Sequence, residues 1–145
     1  MKRKSSGNKK VRNATASEYN GIKFRSKLEL FSYKKFEEAG IPVLYEEVRY
    51  VLQDGFYFEP KCIEPNKKGE YIDVRTKVRA ITYTPDFVDP QGRFIVEVKG
   101  FANDVFPMKW KMFKNYLRQH SPDTILFLPK NQKQVLETIE QIKNL

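Results

Sequence analysis

A chain of 145 residues has room for one hydrophobic core, and 40% apolar with 14% aromatic content is enough to build it. One cysteine (Cys62) and one histidine (His120) exclude an internal disulfide and a Cys/His zinc site, and leave any Ser–His or Cys–His chemistry resting on His120 alone. The net charge of +9, from 27 basic and 18 acidic residues, suits a polyanionic partner without choosing between DNA, RNA and simple solubility.

Residues 1–20 carry Lys2, Arg3, Lys4, Lys9, Lys10 and Arg12 against Glu18. With Ser5, Ser6, Gly7 and Asn8 between them, the stretch reads as a basic, mobile arm. Its phosphate contacts would weaken with salt; a solvated tail with no dedicated role fits the same composition equally well. No apolar run follows, so it does not read as a signal peptide, and no stretch is long enough to span a membrane. The lone cysteine suits a reducing, cytoplasmic setting.

A helical pattern begins near Lys27 and stops at Gly40, with Leu28, Phe31, Ser32, Phe36 and Ala39 on one stripe. Glu29 lies on the shoulder of that stripe. It suits either a capping box with Ser26 at the N-cap or the rim of a cleft. Residues 48–52 then read as a strand, 53–55 as a turn, 56–58 as a strand, 59–70 as a polar loop and 71–80 as a further strand. Together they predict a β-ribbon insertion over residues 48–81.

The stretch 93–99 is rich in β-branched and aromatic residues and ends at Gly100. Alternation puts Ile95, Glu97 and Lys99 on one face and Phe94, Val96 and Val98 on a core-facing side. The turn Asp89-Pro90-Gln91-Gly92 folds the strand ending near Val88 back onto Ile95. Asp86 then stands close to Glu97. Two carboxylates forced together repel unless a cation joins them, and an all-oxygen donor set suits Mg²⁺ or Mn²⁺. Pro85-Asp86, ten residues, then Glu97-x-Lys99 is thus the spacing of a metal site for phosphodiester hydrolysis. Alone the match is weak, since Asp-Pro turns and Glu-x-Lys edges are common.

A helix starts near Phe106-Pro107 with Met112, Phe113, Tyr116 and Leu117 inward and Trp110 at the margin. Lys111, Lys114 and Arg118 recur on the opposite face, as a phosphate track or a solvated row. Lys109 falls within the apolar stripe, reaching for the scissile-phosphate region or snorkelling past Phe106. His120 ends this helix, where histidine commonly meets the last carbonyls. Residues 124–129 read as a buried strand, and 132–145 as a helix with Val135, Leu136, Ile139 and Ile142 inward. The order of elements predicts an α/β fold, a mixed central sheet flanked by helices.

Phe24-Arg25-Ser26-x-Leu28-Glu29, Tyr83-Thr84-Pro85-Asp86-Phe87, Val96-Glu97-x-Lys99-Gly100 and the basic helix ending in Gln119-His120 resemble the bacteriophage endonuclease I family. These are Holliday-junction resolvases of the PD-(D/E)XK nuclease superfamily. The segment from Tyr19 to Glu29 also resembles small phage and prophage proteins thought to be nucleases of that superfamily. The likeness runs from about residue 20 to about residue 129, with the motifs in the same order.

The resemblance implies one nuclease domain over residues 21–145 with a restriction-endonuclease-like core. It implies Glu29, Asp86, Glu97 and Lys99 as the catalytic set. Asp86, Glu97 and the backbone carbonyl of Val98 would ligate Mg²⁺ (or Mn²⁺), Glu29 would hold a second ion or its water, and Lys99 would orient the attacking water. Arg25, Lys27, Lys109, Lys111, Lys114 and Arg118 are the expected nucleic-acid contacts. The stretch 48–81 is considerably longer than its counterpart in endonuclease I, which connects the subunits of an intertwined dimer. The expectation is a metal-dependent DNA endonuclease acting on branched DNA or junctions in phage or prophage recombination. A homodimer is expected because a junction cutter makes paired incisions. The alternatives are a non-catalytic basic DNA-binding module, and a recombination or transposition accessory subunit that cuts only with a partner.

Overall fold

The computed structural model describes residues 17–74, 76–100 and 105–145. The first element is a hairpin, β1 (Ser17–Tyr19) paired antiparallel with β2 (Ile22–Phe24). Asn20 and Gly21 turn it at φ +50° and +75°, the left-handed pair that a two-residue hairpin loop demands. The expected arm of residues 1–20 therefore ends sooner, because Ser17–Tyr19 is strand; residues 1–16 lie outside the described residues.

Helix α1 (Lys27–Glu38) begins at Ser26, whose hydroxyl oxygen accepts the Glu29 amide at 3.1 Å. It ends as the sequence predicts. Gly40 takes φ +67°, the Gly40 amide bonds the Glu37 carbonyl and the Ile41 amide bonds the Phe36 carbonyl, which satisfies two of the carbonyls that the helix end leaves open. Strand β3 (Leu44–Tyr45) follows.

Six short strands then build the ribbon: β4 (Tyr50–Gln53), β5 (Phe56–Tyr57), β6 (Ile63–Pro65), β7 (Tyr71–Asp73), β8 (Lys77–Val78) and β9 (Ile81–Tyr83). They pair antiparallel as β4–β9, β5–β8 and β6–β7, so one long hairpin runs out and back. Two local readings are corrected. Residues 53–55 are not a reversal: the chain continues outward through a bulge, where Val51 faces Thr82 and Gln53 faces Ile81. A side chain at Gly55 would meet the Val78 carbonyl oxygen at 2.9 Å, so glycine lets the two arms approach. The polar loop is also shorter than expected, because Ile63–Pro65 pairs with β7 and the reversal sits at Asn66–Gly69.

The central sheet has the order β12-β11-β10-β3, where β10 is Phe87–Val88, β11 is Phe94–Val96 and β12 is Ile125–Phe127. Phe87 faces Val96 and Val88 faces Ile95, the antiparallel register read from the 89–92 turn. Buried Asp89 locks that turn by accepting the Arg93 amide at 2.9 Å and Arg93 Nε at 2.7 Å. Burial pushes its carboxyl up, but these bonds outweigh burial and hold it below the usual carboxylate range. Strand β12 runs parallel to β11 and is reached through α2 (Phe106–His120). Helix α3 (Gln132–Lys143) closes the chain.

Both faces of the sheet are covered. Phe87, Phe94, Val96 and Val98 pack with Phe36 of α1 and with Val135, Ile139 and Ile142 of α3. Val88 and Ile95 pack on the other face with Tyr83, Phe106, Phe113 and Leu117. Each fully buried Phe or Ile side chain stabilises the fold by about 1.5–3 kcal/mol. Leu136 is a correction: it is 45% exposed, and Thr138 takes the inward place. The buried strand expected at 124–129 is an edge strand with Ile125 41% exposed. His120 packs its ring 4.4 Å from that of Tyr116. Among the described residues no helix is long and apolar enough to cross a membrane.

Candidate active site

The sheet delivers its acids at one end. Pro85-Asp86 enters β10, and Glu97-Val98-Lys99 leaves β11 still bonded to the neighbouring chain: the Glu97 amide meets the Phe127 carbonyl at 3.0 Å and the Lys99 amide meets the Pro129 carbonyl at 3.1 Å. Asp86 and Glu97 are 8% and 4% exposed. The backbone cross-links them. Val98 N–H donates to Asp86 Oδ2 at 2.7 Å, and Asp86 N–H donates to Glu97 Oε2 at 3.2 Å. Tyr83 O–H donates to the same Glu97 oxygen at 2.6 Å, and Lys99 Nζ stands 3.5 Å from Glu97 Oε1.

Glu29 comes from the first turn of α1 and is 7% exposed. It does not reach back to the Ser26 amide as a capping box would. Its carboxylate accepts the Ser26 hydroxyl at 3.0 Å and the Tyr45 hydroxyl at 2.5 Å. The N-cap and the site thus share Ser26, whose hydroxyl links the two.

One further acid joins the cluster. Glu46 follows β3 with φ +51°, a left-handed conformation unusual for a residue other than glycine. Its amide donates to the Asp86 carbonyl at 2.8 Å, and its carboxylate pairs with Arg25 Nε at 3.1 Å. One oxygen each from Glu29, Glu46 and Asp86 lie within 4.8 Å of one another. Glu97 is not one of this triad; its carboxylate is held by Tyr83, the Asp86 amide and Lys99. No spacing rule singles out Glu46, because its place depends on β3 pairing beside β10.

Electrostatics follow from the crowding. Burial, with Glu97 and Glu29 beside it, pushes the Asp86 carboxyl well above the usual range. Burial also raises Glu97, against the Tyr83 bond and the Lys99 charge. Burial raises Glu46 despite Arg25. Burial and the Glu97 charge push the Tyr83 phenol far up, and burial and Glu29 do the same to Tyr45. Both tyrosines therefore remain O–H donors that hold a carboxylate in place. Four carboxylates meet two contacting cations, Arg25 and Lys99. The donor set is oxygen only, clustered and short of positive charge, which fits a hard divalent cation such as Mg²⁺ or Mn²⁺.

The expected nucleic-acid contacts separate into two groups. Arg25 and Lys27 precede Glu29 at the start of α1, and the Arg25 side chain is 79% exposed despite its bond to Glu46. Lys111, Lys114 and Arg118 are exposed along α2. Lys111 and Lys114 line a hollow that also contains Lys99, whereas half-buried Lys109 is not among its lining residues.

The chain is thus a mixed α/β protein with a buried acidic site at the end of its central sheet. Residues 9–132 match the family described as "Protein of unknown function (DUF1064)", and the chain belongs to that family. No curated protein and no solved structure matches it.

Proposed function

We propose that this chain is a Mg²⁺-dependent DNA endonuclease of the PD-(D/E)XK type, with Mn²⁺ able to substitute. Branched DNA or junctions in phage or prophage recombination are its substrates, in the cytoplasm of a bacterial host. The observation that carries this reading is the convergence of Glu29, Glu46 and Asp86 next to the Glu97–Lys99 pair. The β10–β11 hairpin with β12 joined in parallel through α2 supports a restriction-endonuclease-like core, with its acids at the strand ends.

Asp86, Glu29 and Glu46 would hold the cation, with Glu97 and the Val98 carbonyl as its neighbours on the β11 side. A bound divalent cation neutralises phosphodiester charge and activates water at neutral pH. The Val98 amide and the Tyr83 and Tyr45 hydroxyls fix the carboxylate oxygens before substrate arrives. Lys99, its side chain 24% exposed, orients the attacking water and handles its proton beside Glu97. Arg25, Lys27 and the α2 cations position the phosphate backbone. Two copies would supply the paired incisions a junction requires.

The test is incubation of purified protein with plasmid and with a four-way junction, in Mg²⁺, in EDTA and as Asp86→Ala. Cutting confined to the wild type in Mg²⁺ is expected. Metal-independent binding without cutting would assign a DNA-binding module instead, and cutting only with an added protein would assign an accessory subunit.

A further inference from the structure

Beside the acidic site, on the α2 side of Lys99, lies a hollow of about 340 Å³. Its floor is apolar, formed by Phe106, Trp110 and Leu128. Lys99, Lys111, Lys114 and Lys130 stand around it, and among the described residues no carboxylate lines it. The cations are set against the rings: Lys99 Nζ is 4.6 Å from the Phe106 ring centre and Lys114 Nζ is 5.8 Å from that of Trp110. Phe106 and Trp110 lie 5.6 Å apart with their planes 30° from parallel. Lys114 also borders a second hollow of about 320 Å³ carrying Arg118. Basic residues therefore continue from the acidic site along α2.

An apolar, aromatic floor ringed by ammonium groups suits an aromatic ring carrying phosphate. Paired bases present only their edges, so their faces cannot reach such a floor. An unpaired base can turn out and stack while its phosphates meet the lysines. Lys99 belongs both to this hollow and to the Glu97 pair, so an occupant sits next to the bond to be cut.

We infer that the Phe106–Trp110 hollow binds an unpaired nucleotide of the substrate strand adjoining the cleavage site. The inference rests on the nuclease reading and narrows its substrate to DNA with unstacked nucleotides at the branch or end. Lys111, Lys114 and Lys130 hold the flanking phosphates, and Trp110 is the stacking partner.

Trp110 is the sole tryptophan, so its emission reports this hollow alone. Wild-type full-length protein is titrated in EDTA, where no cutting occurs, with a short oligothymidylate, the same strand in a perfect duplex, and free thymidine monophosphate. The oligothymidylate is expected to quench Trp110 strongly, the duplex weakly, and the free nucleotide only at far higher concentration. Lys111→Ala with Lys114→Ala is expected to lower oligonucleotide affinity about tenfold and to flatten the salt slope by roughly 0.7 per lysine. Trp110→Leu, followed by anisotropy of a labelled strand, is expected to lose the preference for single strand over duplex. Equal quenching by duplex, absence of quenching, or unaltered preference in Trp110→Leu overturns the inference. The readout needs no catalysis. A protein that cuts DNA while its tryptophan ignores single strands loses the hollow alone; one that quenches but never cuts keeps a single-strand site in the hollow and loses the nuclease reading together with the placement beside a cleaved bond.

Discussion

Phe94, Val96 and Val98 on the central sheet are at most 4% exposed, whereas Phe56, Tyr57 and Tyr71 on the ribbon are 44%, 58% and 74% exposed. Both regions are strands rich in aromatic and β-branched residues. They differ in company. The sheet has α1 and α3 on one face and α2 on the other; the base of the ribbon packs Tyr50 and Tyr83 on Phe113 of α2, while its outer strands β5 to β8 pair only with each other. A lone two-stranded hairpin is marginally stable in water. The difference teaches where an unfavourable site can be kept: buried carboxylates that repel one another persist only on a platform whose packing outweighs them. The outer strands of the ribbon, exposed at Tyr57 and Tyr71, contribute little to that platform.

The largest effect is expected at the site. Asp86→Asn keeps an oxygen acceptor for the Val98 amide but removes a buried charge. Cleavage is expected to fall by at least about 10³-fold while metal-free stability rises by about 1 kcal/mol, read from DNA cutting and thermal melts on the same preparation. A matching loss of both would mean the acid supports the fold rather than the chemistry.

Phe94→Ala should cost about 3–5 kcal/mol, seen as a lowered denaturant midpoint with little change of slope. Tyr71→Ser on the ribbon should move the same midpoint by less than about 0.5 kcal/mol. Comparable losses would place the ribbon within the cooperative core.

Tyr83→Phe removes the hydroxyl bonded to Glu97 with little change in packing. A drop of roughly 10–100-fold in metal affinity or activity is expected, measured by magnesium titration of cleavage. Retained affinity would deny Tyr83 a positioning role.

The pH dependence is smaller and has a definite sign. Asp86 and Glu97 are raised in the folded state, so the folded protein keeps protons that the unfolded chain has released. Their contribution to stability is complete below the ordinary carboxylate pKa, about 4, and is lost as pH rises through the folded values. Metal-free melting temperature should therefore fall as pH increases from about 4, and added Mg²⁺ should restore it most at the high-pH end. A metal-free melting temperature that rises over this range, or a Mg²⁺ effect independent of pH, would argue against crowded carboxylates at the site.

Local chemistry made much of this legible. Strand alternation sorted residues 94–99 onto two faces, turn residues 89–92 set Val88 against Ile95, and the glycine at position 40 stopped α1. Those relations depend on near neighbours along the chain, and they were enough to put Asp86 beside Glu97. What needed the tertiary structure was how segments far apart in sequence meet, apart from Glu29, which the resemblance had already grouped with Asp86. Glu46 enters the acidic cluster only because β3 lies next to β10, and Tyr45 reaches Glu29 for the same reason. Lys130 lines the same hollow as Lys99 and Trp110 because β12 returns parallel to β11. Periodicity dictates which face a side chain takes, but which distant face it meets is decided by strand order and by the packing that holds it.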